Sequence, residues 1–169
     1  MAVFLITAVL STVVLLSAGY EFGPICCSNP TNRIRGSDTF GSGGFGASRG
    51  SRSHAGVDIE CQDGSRVYAP LDMTIIRQST PYKYGTKTAI NNGIVFEAEG
   101  MTFKLWYIRP VKTSGTVTKG ELIGTMLPMQ SVYQRITSHV HLEKSDKTDP
   151  MAVINTQNQQ SNRNFCIGK

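Results

Sequence analysis

Hydrophobic and polar positions divide the chain into one long apolar run and a series of short segments. Residues 1–19 contain no charged side chain and end in small residues from Ser17 to Gly19. An apolar core followed by small residues is typical of a secretory signal peptide. The alternative is an uncleaved membrane anchor, which needs about 20 apolar residues, whereas polar Tyr20 and Glu21 follow this run at once. We therefore predict a cleaved signal peptide at 1–19 and a secreted, extracellular mature protein without a membrane span.

The rest of the pattern predicts short β-strands and little helix. Apolar and polar residues alternate around Asp58 and again from His139 to Glu143, with the period of two that half-buried strands show. Glu99-Gly100 between two apolar segments predicts a hairpin, and Lys119-Gly120 predicts a turn. The predicted strand segments are 57–59, 67–69, 73–76, 94–96, 103–108, 122–126 and 140–142. Residues 129–136 are expected to form a turn or two.

Two segments lie outside this strand pattern. Gly36 to Ser53 is rich in glycine, serine and arginine, which predicts a long loop, and loops of this length in compact domains are usually functional or mobile. Residues 154–169 form an Asn- and Gln-rich C-terminal tail, which we expect to be poorly ordered and held back by Cys166. A chain of 169 residues suits one domain with a substantial core, and we place that domain at 20–153.

The four cysteines also fit a secreted protein. Cys26 and Cys27 are neighbours and cannot easily reach disulfide geometry with each other. Cys61 and Cys166 are therefore each expected to bond to one member of that pair, with the choice left open. A zinc finger is not expected, because the cysteines lack paired CxxC spacing.

The net positive charge of the chain indicates which kinds of binding partner it would attract. The net charge is +5, and arginines are concentrated in the first half of the chain, at Arg33, Arg35, Arg49, Arg52 and Arg66. A basic secreted protein is attracted to sulfated glycans, anionic cell surfaces or acidic receptors, although ordinary solubility charge is an alternative. Nucleic acid is not an expected partner, because neither a basic helix nor an aromatic platform motif is visible.

All three histidines fall in two short motifs, His54-Ala-Gly-Val-Asp58 and His139-Val-His141. Residues two apart on a strand share a face, so His54, Gly56 and Asp58 should face one way, as should His139 and His141. Two such strands side by side would bring imidazoles and a carboxylate to one point. Either motif alone is common on the wet face of a strand. Together they predict a zinc site, because two nitrogens, one oxygen and a water suit tetrahedral zinc.

These motifs resemble those of the lysostaphin-type peptidoglycan endopeptidases. The segments 64–70 and 119–124 are similar to that family's Gly-x-x-Val-x-Ala-Pro and Lys-Gly-x-x-Ile-Gly motifs. The segments 89–93, 107–112 and 138–143 are closest to an animal branch whose members signal rather than cleave. The resemblance implies a compact single domain of mostly antiparallel sheets. It also implies zinc held by His54, Asp58 and His141.

The same resemblance assigns roles to two further residues. His139 should stand beside the metal without ligating it, and a second non-ligand histidine should assist it where this chain has Tyr107. No fourth histidine exists to take that role. Tyrosine, with a pKa near 10, is a poor base at neutral pH, and losing acid–base help typically costs ~10²–10⁴ in rate. The resemblance further pairs Cys26 with Cys61, which leaves Cys27 and Cys166 as a possible second pair.

These expectations predict a secreted zinc-binding signalling protein, chemotactic or cytokine-like, on a catalytically impaired peptidase fold. Its zinc would be mainly structural, its partner a cell-surface receptor, and a monomer is the default state. One alternative is a secreted zinc endopeptidase that cleaves peptidoglycan crosslinks. Another is a non-catalytic binder of bacterial cell wall or sulfated glycans in innate defence.

Overall fold

The computed structural model describes residues 20–83, 85, 87–154 and 166. The predicted signal peptide and nearly all of the predicted tail lie outside the described residues. Within them the chain forms β-strands, short 3₁₀ turns and loops, without an α-helix. The strands, in chain order, are β1 Val57–Glu60, β2 Arg66–Tyr68, β3 Met73–Gln78, β4 Gly93–Ala98, β5 Met101–Trp106, β6 Ile108–Pro110, β7 Gly115–Val117, β8 Leu122–Met126 and β9 His139–Lys144. The 3₁₀ turns are Thr88–Ile90, Met129–Ser131 and Pro150–Val153.

Two antiparallel sheets contain all of these strands. The larger sheet has six strands in the order β1-β9-β5-β4-β3-β7, and the smaller has three in the order β2-β8-β6. The predicted hairpin at Glu99-Gly100 joins β4 to β5, which pair from Gly93 with Trp106 to Ala98 with Met101. The expected fold class, a compact domain of mostly antiparallel sheet with little helix, is confirmed. None of the helices in the described residues is long or apolar enough to cross a bilayer.

The alternation in β1 and β9 places one face of each strand in the core. Val57, Ile59, Val140 and Leu142 have no exposed surface, and burying such a side chain typically contributes about 1.5–3 kcal/mol. The opposite face carries Asp58, and it is also buried. That face lies under a cleft rather than under bulk solvent, and it is where the functional side chains meet.

Two local details differ from the predicted pattern. β1 begins at Val57, so His54 precedes the strand instead of lying within it. The predicted strand 103–108 is divided at Tyr107, whose φ of 70° lies in the left-handed region and ends β5. The turn or two expected at 129–136 is present as one 3₁₀ turn, Met129–Ser131.

Two disulfides attach flanking segments to the sheets. Cys26 is bonded to Cys61, directly after β1, and both are buried. Cys27 is bonded to Cys166, so the second bridge reaches into the C-terminal tail. Of the alternatives that the sequence leaves open, the structure contains the pairing that the family resemblance implies for Cys26.

Candidate metal centre

Three of the residues predicted as metal ligands meet at one point. The register of β1 and β9 pairs Asp58 with His141, and the segment before β1 brings in His54. Nε2 of His54 lies 3.1 Å from Nδ1 of His141 and 3.2 Å from Oδ1 of Asp58. Nδ1 of His141 lies 3.0 Å from the same oxygen. These atoms form a near-equilateral triangle of possible ligands.

The donor set has the composition and spacing that one zinc ion requires. Zinc bonds of about 2.0–2.1 Å in tetrahedral geometry separate neighbouring ligand atoms by roughly 3.3 Å. The observed separations of 3.0 to 3.2 Å are close to that value. Two imidazole nitrogens and one carboxylate oxygen leave a fourth position for water or another ligand. The residues present therefore fit the metal that the family resemblance implies.

The hydrogen bond of His54 determines which of its nitrogens can serve as a ligand. Nδ1 lies 2.8 Å from the backbone oxygen of Gly44, to which it can only donate. The lone pair of the ring is then on Nε2, the nitrogen that faces Asp58 and His141. A metal-ligating histidine is usually oriented by such a bond on its other nitrogen. The glycine-rich loop 36–53 thus supplies the group that orients this ligand.

Gly56 makes room for the ring of His141. A Cβ atom at position 56 would lie 2.3 Å from the backbone oxygen of Leu142 and 2.9 Å from two atoms of the His141 imidazole. Both distances are shorter than contacts that real side chains make. The middle glycine of the His-x-Gly-x-Asp motif is therefore a steric requirement of the site.

Two arginines hold the second oxygen of the Asp58 carboxylate. Nη2 of Arg35 lies 3.1 Å from Oδ2 of Asp58, and Nη2 of Arg49 lies 3.2 Å from the same oxygen. Oδ1 is left facing the histidines. Burial by itself would raise the pKa of Asp58, but the neighbouring imidazoles of His141 and His54 hold it well below its ordinary value. The carboxylate is therefore ionised and aimed at the metal position.

His141 offers Nδ1 to the centre and keeps Nε2 on the opposite side. Within the described part of the chain, Nε2 is buried and lacks a hydrogen-bond partner. The nearest carboxylate oxygen is Oε2 of Glu143, at 3.7 Å. Burial opposes protonation, yet the hydrogen bond with Asp58 and the nearby Glu143 carboxylate raise the pKa of His141. A proton on Nε2, stabilised by Glu143, leaves Nδ1 free to act as a ligand.

His139 lies beside the three donors. Its Nδ1 is 2.7 Å from the backbone oxygen of Thr137, so its Nε2 lone pair faces the centre, 3.6 Å from Oδ1 of Asp58. Burial lowers the pKa of His139. The side chain is therefore a neutral imidazole near the metal position, as the family resemblance implies for this residue.

Tyr107 contacts both histidines of β9 with its ring. The ring centroids lie 5.7 Å from His139 and 6.4 Å from His141, in edge-on orientation. Its hydroxyl is 3.0 Å from the hydroxyl of Tyr82. Burial raises the pKa of Tyr107 to about 12. The phenol is neutral at physiological pH and can donate a hydrogen bond, but it cannot serve as a general base.

Several residues of this site could not be identified from the sequence. In the sequence Arg35 and Arg49 look like surface charge, but in the structure both face Asp58. Arg33, from the same group of arginines, instead pairs with Glu60. The hydroxyl of Tyr82 also lies 3.3 Å from that of Tyr133. None of these belongs to a short motif, so no sequence signal identifies them. A cleft of about 550 Å³ above the metal-ligand set is lined by Arg35, Arg49, Tyr82 and Tyr133.

Known proteins of one family are similar to this chain in sequence. Residues 52–153 match the model of peptidase family M23. The chain is 44% identical over 151 residues to leukocyte cell-derived chemotaxin-2 of Mus musculus, which covers 88% of this chain and 98% of that protein. The Bos taurus protein of the same name is 42% identical over 148 residues, covering 88% and 97%. Myeloid protein 1 of Gallus gallus is 42% identical over 130 residues, covering 75% of this chain and 39% of that protein.

One solved structure supports the fold alone. Helicobacter pylori Csd3 superimposes with a TM-score of 0.53 at 18% identity, covering 83% of this chain and 36% of that one. The family resemblance inferred from the motifs is confirmed. The chain belongs to peptidase family M23 and, within it, to the group that includes leukocyte cell-derived chemotaxin-2.

Proposed function

We propose that this chain is a secreted, zinc-binding signalling protein of the chemotactic, cytokine-like kind, on a catalytically impaired peptidase fold. The observation that carries the proposal is Tyr107, a neutral phenol beside His139 where the family resemblance expects a second histidine. The name shared by two relatives, chemotaxin, supports signalling. The two disulfides support an oxidising, extracellular location.

The impaired chemistry follows from what each side chain can do. Zinc held by His54, Asp58 and His141 would polarise a carbonyl oxygen and acidify a bound water. His139 presents a free imidazole nitrogen to that position, but Tyr107 cannot accept a proton from water. The loss of general acid–base help typically lowers a rate by ~10²–10⁴. The chain retains the geometry of the metal ligands but lacks a second histidine that could share proton transfer with His139.

A structural role for the metal follows from where its ligands originate. His54 belongs to the segment that follows the glycine-rich loop, Asp58 to β1 and His141 to β9. An ion bound to all three would tie the loop to the edge of the larger sheet. Anything that binds only the folded state stabilises it by mass action. We therefore propose that zinc mainly stabilises the surface formed by the loop and the cleft, which a cell-surface receptor would contact.

Metal analysis of the native protein tests the zinc proposal. We expect about one zinc per chain, and a melting temperature that falls when a chelator is added. His54→Ala and Asp58→Ala should each abolish metal retention. His139→Ala is the matched control, because it removes an imidazole from the same cleft without removing a ligand. Native protein without metal, with a melting temperature unaffected by chelator, would refute the zinc site.

Leukocyte migration tests the signalling proposal. Zinc-replete protein should move leukocytes, and His139→Ala should retain that effect, because signalling does not need an imidazole at position 139. Failure to bind or move leukocytes over a wide concentration range would contradict the proposal.

A second candidate is a peptidoglycan endopeptidase, which the intact donor triangle and His139 favour. Purified protein would be incubated with glycine-bridged and directly crosslinked cell walls. Soluble muropeptides that disappear with His139→Ala would establish this activity. Salt-sensitive wall binding without cleavage would instead favour a non-catalytic binder of walls or sulfated glycans in innate defence.

A further inference from the structure

The phenols around the cleft form a hydrogen-bonded chain that starts from a lysine. Nζ of Lys87 contacts the hydroxyl of Tyr133 and lies 4.5 Å from the centre of that ring. The hydroxyl of Tyr133 is 3.3 Å from that of Tyr82, which is 3.0 Å from that of Tyr107. Four side chains from three separate parts of the sequence thus connect the cleft wall to the metal-ligand set.

The direction of this chain follows from the donors. A lysine ammonium has only donors, and each phenol has one O–H donor. Tyr133 can accept from Lys87 and donate to Tyr82, which can in turn donate to Tyr107. In that arrangement the hydroxyl proton of Tyr107 is not used within the chain of phenols. Among the described residues, the hydroxyl of Tyr107 contacts only that of Tyr82, so its proton is available to a ligand in the cleft.

The charges around the same cleft favour an anionic ligand. Its two carboxylates are already neutralised, Asp58 by Arg35 and Arg49, and Glu143 by Lys104 and Lys147. Arg52 lines the cleft, is exposed, and has no ion-pair partner in the part of the chain that the structure describes. An available hydroxyl donor, an arginine without a carboxylate and the open position of a bound cation would all attract negative charge.

We propose that the cleft binds the free C-terminal carboxylate of a peptide, recognised by the hydroxyl of Tyr107 and the guanidinium of Arg52 beside the metal centre. This proposal rests on the metal site of the proposed function and adds a ligand class to it. A carboxylate provides oxygens both for a metal ion and for neutral and charged donors. Phe40, Tyr82, Trp106 and Tyr133 line the cleft around it and would pack against the last side chains of the peptide.

The chemistry of Tyr107 also explains why such a site would bind and not cleave. Peptide hydrolysis converts a neutral carbonyl into a carboxylate, and by the family resemblance its proton transfers require a second histidine beside His139, where this chain has Tyr107. A neutral phenol stabilises negative charge on oxygen by donating a hydrogen bond, but it accepts no proton. The arrangement is therefore better suited to binding the carboxylate product of hydrolysis than to catalysing hydrolysis.

Fluorescence anisotropy with short N-terminally labelled peptides tests this proposal on the full-length, disulfide-bonded protein. Each peptide is used with a free C-terminus and as the C-terminal amide, and its last residue is either an L-amino acid or D-alanine. We expect amidation to weaken binding at least about tenfold, since a hydrogen bond to a charged group contributes that much or more. Binding of either free carboxylate supports the proposal. The tighter peptide then shows whether the natural source is an ordinary protein terminus or a bacterial stem peptide.

Two variants assign the effect to the named groups. Tyr107→Phe removes only the hydroxyl, and Arg52→Gln removes only the charge; each should reduce binding of the free carboxylate about tenfold and leave binding of the amide unchanged. Arg77→Gln, which changes an exposed side chain of β3, is the control and should bind as the wild type does. A labelled sulfated disaccharide is tested in the same way. Equal binding of acid and amide, or binding of the sulfated disaccharide without binding of any peptide, would overturn the proposal.

Zinc content is measured in the same samples, which separates the two proposals. Zinc present without peptide binding overturns the carboxylate site and leaves the zinc site intact. Neither zinc nor peptide bound overturns both. Peptide binding that depends on Tyr107 and Arg52 in zinc-free protein supports the carboxylate site and overturns the proposed metal.

Discussion

Arg35 forms an almost fully buried ion pair with Asp58, in which the guanidinium Nη2 lies 3.1 Å from the carboxylate Oδ2 and the side chains are 2% and 4% exposed. The pair divides the carboxylate into two functional halves, because Oδ2 binds arginine while Oδ1 faces the histidines. Arg35 is itself held by Asp38, 2.7 Å away, and by the backbone oxygen of Gly41, at 2.8 Å. A chain of contacts thus connects the glycine-rich loop to the metal ligand.

Removing the Arg35 charge should weaken both the fold and the metal site. We expect Arg35→Gln to lower the free energy of unfolding by about 3–5 kcal/mol, because Asp58 would keep a buried charge with less compensation. Zinc affinity should fall by about 10–100-fold, as when groups that orient metal ligands are lost. Urea unfolding and a zinc competition titration measure the two effects.

The control for this prediction is Arg33→Gln. The Arg33 side chain is 69% exposed in its pair with Glu60, and exposed pairs contribute about 0–1 kcal/mol. The Arg33→Gln variant should therefore leave zinc affinity unchanged. Equal losses in the two variants would contradict a specific role for Arg35.

A methyl group at position 56 should disrupt the site sterically. In Gly56→Ala the added Cβ would lie 2.3 Å from the oxygen of Leu142 and 2.9 Å from the His141 ring, so β1 or the imidazole must move. We expect a loss of about 1–3 kcal/mol in stability together with loss of zinc. Gly36→Ala is the control, because its Cβ would meet no atom within 4 Å. Zinc binding by Gly56→Ala with wild-type affinity would show that the ring position is not restricted in this way.

Asp38 should contribute to the dependence of stability on pH. Burial raises the pKa of this carboxyl, but hydrogen bonds from the backbone of Thr137 and Phe40 and from Arg35 lower it below the ordinary 3.8. A group with a lowered pKa in the folded state stabilises it above the ordinary value, and this contribution is lost as the pH falls through the lowered pKa. Asp38→Asn should therefore be less stable than the wild type at neutral pH, and the difference should shrink as the pH falls below the ordinary 3.8.

Urea unfolding at neutral and acidic pH measures this difference. Glu97→Gln, an exposed substitution on β4, is the control and should change stability by no more than about 0.5 kcal/mol. A difference between Asp38→Asn and the wild type that stayed constant from neutral to acidic pH would contradict the prediction.

Tyr107→His should restore part of the missing chemistry. Histidine is among the residues that adopt the left-handed region more readily than most, so it can occupy the φ of 70° at this position. Crosslink cleavage should rise by ~10² or more over the wild type, and it should disappear when His139→Ala is added. Release of soluble muropeptides from walls measures both. Tyr107→Phe is the control and should release none. Muropeptide release by the wild type equal to that of Tyr107→His would show that the tyrosine does not limit catalysis.

Sequence patterns are sufficient for the properties that depend on neighbouring residues. Alternation places Val140 and Leu142 in the core and turns His139 and His141 to the other face, because side chains of a strand alternate regardless of what surrounds them. The glycine turn at Glu99-Gly100 likewise specifies the β4–β5 hairpin. Strand parity does not choose between His139 and His141, so the proposed ligand set could be named before the sheets were known only because its motifs resemble those of a known family.

The distant groups that act on this ligand set are visible in the folded protein alone. The partnership of Arg35 and Arg49 with Asp58 depends on the path of the glycine-rich loop, so in the sequence they look like surface charge. The alignment of Lys87, Tyr133, Tyr82 and Tyr107 likewise joins three segments that follow no common period. Hydrogen bonds and ion pairs of this kind depend on distances set by the whole fold. They decide how Asp58 is oriented and where the Tyr107 proton can go.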